Sequence, residues 1–170
     1  RRRLKQVQGQ PLVVASLKRQ LRGLQAEIAL LDKAIVQAVA EADGERAAQL
    51  RAVPGVGPVT AATLIAFLPE LGRIEHRQLA ALVGVAPYNA DSGGKQGLRR
   101  IRGGRAGIRR VLYMATWSAI RTQPALKNRY TALRARGKCA KVAVVACMRT
   151  FLGQINAMLR DGKPWQPQPV

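Results

Sequence analysis

The chain has 170 residues, enough for one domain with its own core plus an appendage. Hydrophobic residues make up 48%, which excludes a disordered basic tail, and the net charge of +20 (pI about 11.6) points to a polyanion, nucleic acid first. Aromatics at 4% argue against a stacking platform for single strands, and two cysteines with one histidine exclude a disulfide framework and a zinc site.

From about 12 to 42 the pattern predicts one long helix. Leu17, Leu24 and Leu31 repeat every seven residues, and so do Leu21, Ile28 and Ile35. Steps of four and three between them form a coiled-coil seam. Ala38 and Ala42 continue it weakly, Gly23 interrupts it at some cost, and Asp43-Gly44 ends it. The helix either packs on its own domain or meets a helical partner, in the same chain or in a second subunit. Dimerisation through these six side chains is the expectation taken forward.

Glu45 to Arg51 predicts a short helix, and Val59 to Leu68 another. Between them stands Val53-Pro54-Gly55-Val56-Gly57-Pro58, the pattern of a helix-hairpin-helix. Gly55 and Gly57 let the backbone turn tightly and approach a phosphate, and Pro58 suits the first helical position. The free N–H groups of that helix start then face a DNA backbone. The plainer reading is a glycine-rich connector.

Pro69 to Ile74 reads as a loop, and His76 to Val83 as a short helix with Leu79 and Leu82 inward. His76, alone in a polar setting, reads as solvated surface. Tyr88 to Gly104 is rich in glycine and arginine and lacks core periodicity, so it reads as a loop or irregular turns. Helix resumes at Ala106, with Ile108, Leu112, Ala115 and Ala119 on one face. Pro124 starts a further helix with Leu126, Tyr130 and Leu133 inward, and Gly137 ends it. The last helix runs from about Cys139 to Arg160, burying Val142, Val145, Cys147 or Met148, Leu152, Ile155 and Leu159. Both cysteines are expected as reduced, buried thiols of a cytosolic protein. Pro164, Pro167 and Pro169 mark an extended tail. No strand is expected, and no run of eighteen apolar residues suggests a membrane span. The chain opens on Arg1 and not on Met, and a fragment or a processed chain is the expectation.

From Ser92 to Arg160 there is no Asp or Glu. At the head of this stretch Ser92 sits in Asp91-Ser92-Gly93-Gly94, first of all a good turn. A serine hydroxyl is a weak nucleophile, but arginines can clamp a phosphodiester's non-bridging oxygens and offset charge in its transition state. Arg99, Arg100, Arg102 and Arg105 are the candidate clamps, Lys95 is a further nucleic-acid contact, Arg109 and Arg110 are expected to brace the loop from a helix, and basic residues beyond Arg121 to track the nucleic-acid backbone. Glu70, Glu75 and Asp91 are too scattered for a two-metal nuclease.

Several of these segments together resemble a known family. They are Val53-Pro54-Gly55-Val56-Gly57, Leu82-Val83-Gly84-Val85-Ala86-Pro87, Ser92-Gly93 before a basic segment, and Arg109-Arg110-Val111-Leu112-Tyr113-Met114-Ala115. They look like the C-terminal transposase domain of the insertion sequence 110/116/902 family, over roughly Leu50 to Trp165. The resemblance implies that Ser92 is a catalytic serine holding a covalent phosphoserine intermediate. It implies a RuvC-like domain, outside these residues, whose DEDD carboxylates bind magnesium. It further implies a site shared across subunits, a structured bridge RNA as guide, and a coiled coil that mediates dimer contacts. No cofactor is expected within this chain, and no four-carboxylate set exists in it.

The expected architecture is all-α: a coiled-coil helix in 1–44, a helical domain in 45–165 with the hairpin at about 46–68 and the serine loop at 88–104, and a tail in 166–170. The expected function is the DNA-binding, serine-bearing part of a transposase or site-specific recombinase acting in the bacterial cytoplasm at the nucleoid. The competing readings are a non-catalytic helix-hairpin-helix module for DNA or RNA and a basic structural ribonucleoprotein component.

Overall fold

The computed structural model of the chain describes residues 10–88 and 100–166, and it is all-α apart from one two-residue strand pair. Two compact units, Arg1–Ala38 and Val39–Val170, divide the chain. The first helix, α1 (Pro11–Arg51), begins in one and ends in the other.

Within the first unit, Leu24, Ile28, Leu31 and Ile35 are exposed and Leu17 and Leu21 partly covered. Within the second, Asp43 breaks the helical geometry (φ −159°, ψ 68°). Its Oδ1 accepts a hydrogen bond from the Arg46 backbone N–H at 3.2 Å, the contact of an N-cap restarting the helix. The stop expected at Asp43-Gly44 is therefore a kink.

Four short helices and one long one complete the second unit: α2 (Pro58–Phe67), α3 (His76–Val83), α4 (Ala106–Thr122), α5 (Pro124–Ala135) and α6 (Ala140–Arg160). Their starts and stops follow the local chemistry. Pro58 and Pro124 stand in first turns, where a missing N–H costs nothing. The Glu75 N–H donates to Gln78 Oε1 at 3.3 Å at the start of α3, and Gly84 (φ 78°) ends that helix left-handed. Gly137 (φ 76°) follows α5.

The helix α4 is the hub, packing on α2, α3, α5 and α6. Its expected inward face is borne out, since Ile108, Leu112, Ala115 and Ala119 are all buried. One continuous core joins them to Leu50, Leu64, Leu68, Leu79, Val83, Leu126, Phe151 and Leu152. Asn156, also buried, donates from Nδ2 to the Ile74 carbonyl (3.0 Å) and accepts the Gly72 N–H at Oδ1 (2.7 Å). Those bonds fasten the 69–74 loop to α6 and satisfy a polar group that burial would otherwise penalise.

Three sequence expectations need correction. Pro87–Tyr88 (β1) pairs antiparallel with Arg100–Ile101 (β2), Pro87 opposite Ile101 and Tyr88 opposite Arg100, where no strand was expected. Two residues carry no alternation for a sequence pattern to show. On α6 the buried face is rotated: Ala143, Val144, Cys147, Met148, Phe151, Leu152 and Ile155 are buried, whereas Val142 is 52% exposed. Cys139 caps that helix and is exposed, so only Cys147 is a core thiol, and burial pushes its pKa up. By length and composition α6 could cross a bilayer, but half of its apolar window lies in this core.

Candidate nucleic-acid interface

A cleft of about 1250 Å³ opens between α3, the β1–β2 pair, α4, α5 and α6. Arg110, Tyr113 and Met114 reach it from one face of α4, at the three- and four-residue spacing that aligns side chains on a helix. Lys141, Val142, Val145 and Arg149 do the same from α6, and Arg129 reaches it from α5. Arg100 and Ile101 come from β2, Pro87 from β1. No carboxylate lines it among the described residues. Uncompensated cations around a concave surface focus a positive potential and attract polyanions.

Two described stretches, 82–88 and 100–109, are tied together beside this cleft. Gly84 and Gly104 approach so closely that a Cβ on Gly84 would collide with the Gly103 carbonyl, and one on Gly104 with the Gly84 backbone. Both have positive φ (78° and 66°), which glycine alone adopts readily. The Arg105 N–H donates to the Leu82 carbonyl at 2.9 Å. Arg109 Nη1 donates to the carbonyls of Gly103 (2.6 Å), Val83 (3.3 Å) and Gly84 (3.4 Å). Arg105 forks onto Glu70, Nη1 to Oε2 at 2.7 Å and Nη2 to Oε1 at 2.6 Å, while Nη1 also reaches the Phe67 carbonyl at 2.8 Å. This bond, joined by a backbone hydrogen bond, holds the Glu70 carboxyl below the ordinary carboxylate range. The same contact raises the Arg105 pKa.

The sequence-predicted residues thus fall into groups. Arg105 is engaged by Glu70 and the Phe67 carbonyl, and Arg109 is engaged through Nη1 while also lining the cleft. Arg100 and Arg110 are exposed in the cleft wall. Arg102 is exposed and lies over the Tyr88 ring, 5.4 Å from its centroid, a cation–π contact. Ser92, Lys95 and Arg99 lie outside the described residues.

Gly55 and Gly57 separate as well. Gly55 (φ 102°) packs on α4, where a Cβ would stand 2.7 Å from the Ala119 nitrogen. Gly57 caps α2, is exposed, and has open space where a Cβ would go. Gln123 Nε2 donates to the Pro54 carbonyl at 2.6 Å, fixing the turn to the end of α4.

His76 departs from the solvated reading. It is partly covered, its Nδ1 is buried without a hydrogen-bond partner, and its ring lies against Gly153, where a Cβ would stand 2.8 Å from Nδ1. Desolvation, then the nearby Arg149 charge, lowers its pKa. Among the described residues no three His, Cys, Asp or Glu side chains gather in a way that could hold a metal ion. The contributions of Tyr113, Met114 and Val142 escaped the sequence reading. The one available signal was an apolar residue recurring off the core stripe of α4 and α6.

Comparison with known proteins places this geometry. Residues 47–131, half of the chain, match the family described as transposase IS116/IS110/IS902. An uncharacterized 43.6 kDa protein of insertion element IS110 from Streptomyces coelicolor is 32% identical over 115 residues, 66% of this chain and 28% of that protein. A 44.8 kDa counterpart from insertion element IS116 of Streptomyces clavuligerus is 29% identical over 159 residues, 92% of this chain and 39% of that protein. The chain spans well under half the length of these relatives.

Proposed function

Because this chain belongs to the transposase IS116/IS110/IS902 family, we propose that it is the DNA-binding, serine-bearing part of a transposase or site-specific recombinase. The observation that carries this is the cationic, carboxylate-free cleft whose wall includes Pro87, Arg100 and Ile101. These residues flank the segment bearing Ser92, Lys95 and Arg99. DNA phosphates lie along Arg100, Arg110, Arg129, Lys141 and Arg149, and Arg102 serves the same strand from beside Tyr88. Arg105 ties the start of α4 to Glu70, and Arg109 ties Gly103 to Val83 and Gly84.

The proposed chemistry is transesterification. Ser92 Oγ forms a bond to phosphorus, and the bond from phosphorus to the departing strand's oxygen breaks. That oxygen takes a proton, and the serine releases its own. The phosphoserine then keeps the bond energy for rejoining, and arginines offset the charge of the crowded phosphorus. The described residues do not match the magnesium-binding carboxylate set that the family resemblance implies. In this reading those carboxylates come from a RuvC-like domain outside these residues.

The same reading includes contact of the hairpin backbone around Gly57 with a DNA phosphate, a structured guide RNA, and a homodimer formed through Leu17, Leu21, Leu24, Ile28, Leu31 and Ile35. The exposure of Leu24, Ile28, Leu31 and Ile35 supports the last. The site of action is the cytoplasm, at the nucleoid. Ser92→Ala in the full-length protein is the test. Recombination falls by several orders of magnitude while DNA affinity stays within about twofold, since a phosphate-binding cleft is left intact. Normal recombination by that variant would end the nucleophile assignment.

A further inference from the structure

The cleft is not only cationic. Tyr113, Met114, Val142 and Val145 give it an apolar floor beneath the basic wall. Met114 is 64% and Val142 52% exposed, so these large apolar side chains are not there to fill the core. The Tyr113 ring stands edge-on to Trp117 (6.5 Å between centroids, 81°), and Trp117 in turn lies 5.5 Å from Tyr130. Its position is held by packing.

A duplex presents phosphates outward and keeps its base faces stacked inside, so an apolar floor offers it little. Unpaired nucleotides carry both surfaces at once: a phosphate for each cation, and an open apolar base face. We propose that this cleft seats an unpaired stretch of DNA, phosphates on Arg110, Arg129 and Arg149, bases against Tyr113, Met114 and Val142. The inference rests on the nucleic-acid reading above and narrows its substrate from DNA in general to locally melted DNA. Charge selects the occupant: among the described residues the lining holds cations and no carboxylate, which favours a polyanion and repels a basic peptide. Low aromatic content hid the site, because Met114, Val142 and Val145 line it beside the ring of Tyr113.

The experiment measures anisotropy of the 170-residue chain with a labelled single-stranded DNA, its duplex, and the single-stranded RNA of the same sequence. Single-stranded DNA binds about tenfold tighter than duplex. The double variant Met114→Gln, Val142→Thr, at two exposed positions, weakens single-strand binding about tenfold and leaves duplex binding within about twofold, the scale of one lost base contact. A second readout needs no variant: a fluorescent adenine analogue in the single strand changes emission on binding the unmodified chain. Equal affinity for the two DNA forms, an unaffected single strand in the double variant, or a silent analogue overturns the inference while leaving the DNA reading in place. Tighter binding of the RNA overturns the choice of DNA. Failure of all three oligonucleotides to bind refutes the nucleic-acid reading itself.

Discussion

Arg109 and Arg110 are neighbours in sequence and both line the cleft, but only Arg109 also braces the backbone. Arg109 turns back onto the carbonyls of Val83, Gly84 and Gly103 and holds two chain segments together. Arg110, one residue on, points into the cleft and is exposed. Arg105 joins the first kind through Glu70, and Arg149 the second through α6. A run of positive charge is thus no single device. One helical step of about 100° separates a structural guanidinium from one offered to a ligand.

The sharpest way to break the bracing side is at its glycines. Gly84→Ala places a Cβ against the Gly103 carbonyl on a backbone with φ 78°. Unfavourable left-handed geometry (about 1–2 kcal/mol) and overpacking (about 1–3 kcal/mol) together predict a loss of roughly 2–5 kcal/mol in urea unfolding. An unchanged midpoint would mean that the two segments do not depend on this approach.

The turn holding Gly55 and Gly57 offers the same contrast on a smaller scale. Gly57→Ala has room and an ordinary backbone (φ −87°), so its stability cost stays under about 1 kcal/mol. It nevertheless lowers DNA affinity, because in the proposed complex the backbone there approaches a phosphate. Gly55→Ala cannot serve as that probe, since its clash with Ala119 acts through folding. Unaltered DNA binding by Gly57→Ala would remove the hairpin from the interface.

A smaller, pH-dependent effect separates the arginine groups again. The Glu70 carboxyl has a folded pKa below its ordinary value, chiefly through its hydrogen bond to Arg105. Its contribution is fully present above the unfolded carboxylate pKa of about 4.3 and is lost as pH falls through the lower folded value. Glu70→Gln therefore lowers stability at neutral pH and flattens the acid limb of the stability profile. Arg110→Ala leaves that limb unchanged. Identical acid limbs in Glu70→Gln and the parent chain would show that the pair contributes nothing.

Much of this fold was legible because helices announce themselves. Proline and glycine punctuated α2, α5 and the end of α3, and the apolar stripe of α4 matched its core face residue by residue. Where the sequence misled, the signals were short or two-sided. A two-residue strand pair has no period. On α6, apolar residues occupy more than one face, so Val142 was assigned inward although it lines the cleft. The partners of Arg105 lie 35 and 38 residues away and those of Arg109 lie 6, 25 and 26 away, and no local pattern encodes a contact with Glu70 or with a distant carbonyl. The cleft was legible as charge but not as shape, because its wall is assembled from six elements.

The most direct test is the salt dependence of DNA affinity for two variants. Arg110→Ala with Arg149→Ala removes two of the proposed phosphate contacts, so the log–log salt slope for single-stranded DNA drops by about 1.4 while unfolding stays within about 0.5 kcal/mol of the parent. Arg105→Ala, at a residue that pairs with Glu70 and does not line the cleft, lowers stability and keeps the parent slope wherever the protein remains folded. A slope unchanged in the first variant, or reduced equally in both, would contradict the separation of Arg110 and Arg149 from Arg105.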